Sequence, residues 1–278
     1  MDTDVNFGMG PAGLERMWAS AGRHRYDRHA HDEYSVIVVA EGRKLFRSGR
    51  SERVVEAGQV IVVAPGTSHD CEPAGSDPWG HRAWYVPPRL VADWVDDASL
   101  ARDAPFESTI LDLHGLATAL KRRHEAARTD PSGSALAEHS ALADLFRTLS
   151  PRVGPTDVAV RTSKLDRASR YEEILRNAGS TPLDLDILAE AGGVSKFQVI
   201  RDMKDVHHMP PGRFLRDLRL RRSKALLRTK TDLTELSLDL GFSDLSHFIR
   251  SFRSAYGISP GRYRRQVSET FRELDPED

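Results

Sequence analysis

His29, His31 and His69 are the residues whose types and spacing most invite chemistry. The first two are separated by a single residue just before a clear strand signal. The third follows the Pro65-Gly66 turn at the end of another. Imidazoles at converging positions suit Zn, Fe, Ni or Cu, and equally suit hydrogen bonds to a small ligand. Packing within a core would use them with no ligand at all. Trp79, Trp84 and Tyr85 could line the mouth of such a site, although core packing is the commoner fate of large aromatics. The single cysteine, Cys71, sits between Asp70 and Glu72, a setting that disfavours a thiolate. No phosphate-cradling loop, activated nucleophile or paired general acid and base stands out.

The elements that must position the histidines read as strands. Residues 35–40 are apolar and β-branched, and Glu41-Gly42 supplies a turn. Leu45 and Phe46 begin a strand ending at Ser48-Gly49, and 53–55 leads to Ala57-Gly58. Residues 59–64 lead to Pro65-Gly66, and 81–86 is closed by Pro87-Pro88. Short strands at this spacing predict an antiparallel sandwich or barrel. Beyond them, Ile110, Leu113, Leu116, Ala117 and Leu120 recur at helical spacing. After a break at 129–133, Leu136, Leu142, Leu145, Phe146 and Leu149 do so again. These two helices, about 110–123 and 136–149, could cap the barrel within one chain or pair with a second copy. Residues 150–162, with Pro151, Gly154 and Pro155, read as a linker.

The 278 residues favour two domains. The longest apolar runs, 36–40 and 60–65, fall far short of the roughly 18–20 residues of a membrane helix. The first ten residues lack the basic start and apolar stretch of a secretory signal, so the expectation is a cytoplasmic protein with no membrane partner. One cysteine excludes an internal disulfide and a Cys-rich zinc module. The net charge of −1 hides an asymmetry: residues 167–266 hold 19 Lys+Arg against 12 Asp+Glu, and the remainder holds 21 against 29. A basic segment joined to an acidic one fits a chain of which one part meets a polyanion.

That basic segment contains one arrangement twice. Leu185, Leu188 and Ala189 share a helix face, Gly192-Gly193 ends the helix, and Ser195 is placed to cap the next, which carries Phe197, Ile200 and Met203. Forty-eight residues on, Leu233, Leu236 and Leu240 share a face. There Gly241 breaks the helix and Ser243 is the expected cap for Leu245, Phe248, Ile249 and Phe252. Between them, 212–228 reads as one long basic helix. Two helix-turn-helix units on a rigid connector can reach successive major grooves, roughly 34 Å apart.

The stretch GFSDLSHFIRSF at 241–252, followed by YGISPGRYR at 256–264, resembles the C-terminal domain of the AraC/XylS family of bacterial transcription regulators. Leu188-Ala189, Ser195, Arg201, Lys204, Pro211 and Phe214-Leu215 extend the match through the first unit. The chain departs from the family pattern at His208 (usually Gly), Pro210 (usually Ser) and Ser237 (usually Ala). By matched position, the resemblance implies that Lys196, Phe197, Gln198, Ile200 and Arg201 face one major groove. Leu245, Ser246, His247 and Arg250 would face the next. Arg suits guanine, Gln suits adenine, and apolar groups suit the thymine methyl. Phe197, Ile200 and His247 have competing claims as packing residues. Arg213, Arg216, Arg219, Arg221 and Arg222 on the connector, with Arg262, Arg264 and Arg265, are expected to be solvated, one or two of them holding phosphates.

Residues 28–88 resemble the cupin-type effector domain that precedes many such helix-turn-helix pairs, most clearly from Gly58 to Pro65-Gly66-x-x-His69. Metal-binding cupins bring His-x-His, a Glu and a later His together. Glu33 lies closer to His31 than that pattern has it, so a metal at His29, His31 and His69 and a metal-free effector pocket that includes Trp84 both stand. No other cofactor is implied.

The expected fold class is multidomain α+β. An N-terminal antiparallel β cupin-like barrel with flanking helices occupies 1–105, and 106–150 is a helical packing or dimerisation segment. A linker at 151–166 precedes an all-α DNA-binding domain at 167–278, with helix-turn-helix units near 183–204 and 232–253 joined by a long helix. The expected function is sequence-specific transcription regulation, activating or repressing, and not catalysis. Its partners would be double-stranded DNA, a small-molecule effector, RNA polymerase and a second copy of the chain. A metal-dependent cupin enzyme with an ancillary helical domain is the alternative. A regulator of alkylation repair would need a cysteine cluster that this chain lacks.

Overall fold

The computed structural model describes residues 4–22, 24–76, 78–95, 109–126, 131–149, 163–229 and 232–274. The chain forms two compact units, Met1–Thr156 with Arg262–Asp278, and Asp157–Gly261.

The first unit is built on two antiparallel sheets. Its strands are β1 (Asp4–Met9), β2 (Glu15–Gly22), β3 (Tyr26–His29), β4 (Tyr34–Glu41), β5 (Arg43–Ser48), β6 (Ser51–Glu56), β7 (Val60–Val63), β8 (His69–Pro73), β9 (Trp79–Val86) and β10 (Thr109–Leu111). The larger sheet runs β1-β2-β9-β4-β7-β10 and the smaller β3-β8-β5-β6. Five of the strands, β4 to β7 and β9, are those the apolar pattern anticipates. The pattern passes over β1, β2, β3, β8 and β10. In β3 and β8 the cause is plain: their buried positions carry His29, His69 and Cys71 where an apolar alternation would be sought.

Register sorts the residues of the larger sheet. Val36 faces Trp84 across β4 and β9, and Ile37 faces Ala83. Strand residues alternate between faces, so Val36, Val38, Val60, Val62, Trp84 and Val86 share one face. Ser35, Ile37, Val39, Ile61, Val63, His81, Ala83 and Tyr85 share the other. The first face is covered by α1 (Pro88–Val95), α2 (His114–Ala126) and α3 (Pro131–Leu149), through a core that includes Leu120, Leu142, Leu145 and Phe146. The helices therefore cap the sheet of their own chain. Ile110 is in β10 rather than in the helix expected from 110, and α1 was not anticipated.

This packing removes Trp84 from the expected effector residues. Its indole Nε1–H donates to Glu138 Oε1 on α3 (2.6 Å), on the helix side of the sheet; the adjacent Tyr85 takes the opposite side. Arg16 also donates from Nε to Glu138 Oε2 (2.7 Å), and both side chains are buried.

Helix α10 (Pro260–Leu274) is the last of the described elements. Its Tyr263 hydroxyl donates to Glu15 Oε2 (2.7 Å), and its Gln266 brackets β1, donating to Asn6 Oδ1 and accepting from the Phe7 amide. Arg262, expected to be a solvated or phosphate-holding residue, is engaged by Asp4 and Asn6.

The second unit contains α4 (Ser163–Asn177), α5 (Leu185–Gly192), α6 (Lys196–Val206), α7 (Pro211–Leu226), α8 (Leu233–Asp239) and α9 (Leu245–Tyr256). Its first core gathers Tyr171 and Leu175 of α4, Leu188 of α5, Val199 and Met203 of α6, and Phe214 and Leu215 of α7. Helix α4 begins inside the expected linker. It buries Ala168, Tyr171 and Leu175, with Ile174 packed beside them, in a segment that is otherwise mostly polar. The rest of that linker lies outside the described residues.

Candidate DNA interface and effector site

Each helix-turn-helix unit is fixed by caps. Asp184 opens α5, accepting from the Asp186 amide (2.8 Å). Gly193, at φ 63, ends the helix in the left-handed region where glycine carries no Cβ penalty. Ser195 caps α6 as expected, accepting from the Gln198 amide (3.3 Å). Asp232 opens α8. The expectation for α9 needs correction: Asp244, not Ser243, is the N-cap, accepting from the His247 amide at 2.7 Å. Ser243 instead donates to Asp244 Oδ2 (2.9 Å). A carboxylate is the stronger acceptor at a helix start, and these donors hold the Asp244 carboxyl below its ordinary range.

With one face of each second helix buried, the other is left to solvent. Helix α6 buries Val199, Asp202 and Met203 and exposes Lys196, Phe197, Arg201 and Lys204. Phe197, which had a competing claim on the core, is 80% exposed. Helix α9 buries Phe248, Phe252, Ala255 and Tyr256 and exposes Ser246 and Arg250. The remaining candidates are partly engaged. Lys196 pairs with Asp186 (2.8 Å), and Gln198 donates to Asp202 Oδ1 (2.7 Å), whose other oxygen is held by Arg167. Leu245 is half-buried. His247 packs edge-on against Phe242 and faces the Ser243 hydroxyl through Nδ1. Ile200 is half-buried.

The connector helix α7 spans 16 residues, about 24 Å at 1.5 Å per residue. Its arginines divide by role. Arg216 and Arg222 are exposed, whereas Arg221 is buried against Asp217 (3.2 Å). Arg219 donates to three backbone carbonyls: Gly179 and Thr181 before α5, and Gly241 in the α8–α9 turn. It ties the two helix-turn-helix units together. Gly241 (φ 79) permits this approach, since a Cβ there would sit 2.7 Å from the guanidinium and 2.6 Å from Ser180 O. His208, where the family has Gly, likewise has positive φ (55°). Pro210 caps α7 without a side-chain hydrogen bond, the consequence of lacking the usual Ser.

In the first unit the three expected histidines meet. His29, His31 and His69 are buried, and their candidate ligand nitrogens all lie within 4.8 Å of one another. His29 Nδ1 lies 2.6 Å from Asp27 O, and His69 Nδ1 lies 3.0 Å from Thr67 O. A carbonyl only accepts, so both Nδ1 atoms carry the proton and both Nε2 atoms keep a lone pair. His29 Nε2 can then accept from His31 Nε2–H at 3.0 Å. Burial, with Lys44 and Arg28 nearby, pulls His69 down to about 4, keeping it neutral. Backbone-fixed imidazoles of this kind fit a first-row transition-metal ion as well as a polar ligand. Among the described residues no carboxylate joins the group, in line with the doubtful position of Glu33.

Two of the aromatics expected at the mouth, Trp79 and Tyr85, are buried in this unit, together with Lys44, Tyr26 and His81, which sequence alone does not single out. Tyr85 lies 4.5 Å from His31 between ring centroids. Lys44 and Phe46 share a parity on β5, and that alternation was the available signal; a lysine between two strand turns reads as solvated until its strand closes a barrel.

Comparison with known proteins agrees with both halves. A family model described as an AraC-like ligand binding domain matches residues 11–147, and one described as a helix-turn-helix domain matches 188–266. The MmsAB operon regulatory protein of Pseudomonas aeruginosa is 26% identical over 255 residues, covering 88% of this chain and 80% of the relative. The transcriptional activator NphR of a Rhodococcus species is 31% identical over 242 residues, covering 86% of this chain and 58% of NphR. A solved structure of Vibrio cholerae ToxT with an unsaturated fatty acid bound aligns with a TM-score of 0.55 at 10% identity, covering 97% of each chain. At that identity the likeness concerns the fold.

Proposed function

The chain belongs to the AraC/XylS family of transcription regulators, and from that premise we propose that α6 and α9 read two successive major grooves, chiefly through Arg201 and Arg250. The observation that carries the assignment is the matched exposure of these two arginines on helices whose opposite faces are locked into the core. Phe197 and Ser246 stand beside them for thymine-methyl and polar contacts, with Lys196, Gln198, Leu245 and His247 around the reading edge. The first unit carries the effector site, and His29, His31, His69 and Tyr85 form a polar wall for a small molecule. Binding there changes how the DNA-binding half engages its operator. The chain is read as a regulator and not as an enzyme, acting in the cytoplasm. It would contact RNA polymerase and pair with a second copy through α3, on which Leu136 is 78% exposed.

Footprinting tests the assignment. Arg201→Ala and Arg250→Ala should each weaken operator binding by about 1–3 kcal/mol and relax base preference locally, with the circular dichroism of the folded protein retained. An unchanged footprint in both variants would remove it.

A further inference from the structure

A side chain that can only donate hydrogen bonds is costly to bury where no acceptor reaches it. Lys44 and Trp79 are such side chains among the described residues of the first unit. Lys44 on β5 is 0% exposed, and its Nζ has no hydrogen-bond partner. The Trp79 ring lies 5.3 Å from that nitrogen. Trp79 is itself buried, and its Nε1–H, also donor-only, has no partner. Tyr26 and His81 complete the cluster. Trp79 and His81 stack at 4.9 Å, and Tyr26 meets them edge-on at 5.9 and 5.7 Å. The Tyr26 hydroxyl and His81 Nδ1 are buried without partners as well.

These four groups come from β3, β5 and β9, strands of both sheets, so their meeting is a product of the barrel and not of one local turn. Burial pulls the Lys44 amine below its ordinary range, and among its electrostatic neighbours are the Cys71 thiol and the His69 and His81 imidazoles. Stability alone would favour a methionine or leucine at position 44, which fills the same volume without the cost of desolvating an amine. A donor-rich, acceptor-poor interior matches a ligand that brings oxygen acceptors and negative charge.

We propose that Lys44, Trp79 and Tyr26 form the receptor for a small carboxylate. One carboxylate oxygen takes the Lys44 ammonium and the other the Trp79 indole N–H. The Tyr26 hydroxyl donates to either, and the apolar body of the ligand lies against the aromatic rings. This rests on the effector reading of the first unit and names its ligand class. The receptor needs none of the three histidines, of which His69 feels the Lys44 charge.

The test uses the full chain and a panel of benzoate, phenylacetate and hexanoate, each with its primary amide, alongside inorganic phosphate and sulfate. Thermal unfolding and calorimetry are the readouts. At least one carboxylate should bind and raise the unfolding midpoint, while its amide binds at least tenfold more weakly. Lys44→Met should lose that binding at least tenfold, yet unfold at a higher temperature than wild type when ligand-free. Trp79→Phe, which keeps the ring and deletes the donor, should weaken binding to a lesser extent. The proposal is overturned if no carboxylate binds, if an amide binds as tightly as its acid, if Lys44→Met binds like wild type, or if phosphate or sulfate outcompetes every carboxylate. A parallel operator footprint separates the two levels. Amides that bind and alter the footprint leave the effector reading standing without this ligand class, whereas carboxylates that bind without altering it leave the class standing without the regulation.

Discussion

His81 shows how much of this protein's behaviour is set by the surroundings of single residues. Burial, and then the charges of Lys44 and Arg82, push its imidazole well below the ordinary 6.5. The unfolded chain takes up that proton near 6.5 while the folded chain resists it, so the unfolded state binds more protons as pH falls. This contribution to stability is present above 6.5 and is lost progressively below it. The unfolding midpoint should therefore fall between pH 7.5 and 5, with a shallower slope in His81→Gln. An identical slope would show that His81 does not control it. On the DNA face the same scale sorts the candidates: Arg201 and Arg250 stand clear, Gln198 is tied to Asp202, and His247 to Ser243 and Phe242. Their residue types were legible in advance, but their engagements depend on neighbours that no spacing specifies.

Among elements, the attachment of α3 to the larger sheet is the most exposed to a single change. Glu138 accepts from Arg16 and from Trp84 within a buried apolar layer. Removing the carboxylate alone leaves a buried guanidinium and an indole N–H without their acceptor. Glu138→Leu should cost roughly 3–5 kcal/mol, and Arg16→Met in the same chain should recover most of it, because an apolar pair replaces a broken ionic one. Urea unfolding of the two variants checks this, and a double variant no more stable than the single one would count against it. Arg219 plays the comparable part in the second unit, and nothing in the order of residues distinguishes it from the other connector arginines. Only the positions of three carbonyls, set by the fold, separate a staple from a solvated side chain.

For the whole molecule, the uneven charge is the property that reaches furthest. The basic half meets a polyanion, so operator affinity should fall steeply with salt, by about 0.9 in log–log slope for each phosphate contact. Arg222→Ala on the exposed side of α7 should lower that slope by about 1 without altering base preference, whereas a shift in preference would make Arg222 a reading residue. The charge asymmetry, the paired helix-turn-helix pattern and five of the ten strands among the described residues were all legible from the order of residues, because periodicity, caps and net charge are local or additive. Which side of a sheet becomes an interior is neither. Tyr26, Lys44, Trp79 and His81 are scattered over 56 positions, and of the four the residue type sets Trp79 alone beside the histidines. Closure of the two sheets turned them toward one another, and the same closure sent Trp84 to the helices while keeping Tyr85 beside the histidines. Burial in a shared space is a relation among distant residues, so it was decided by packing.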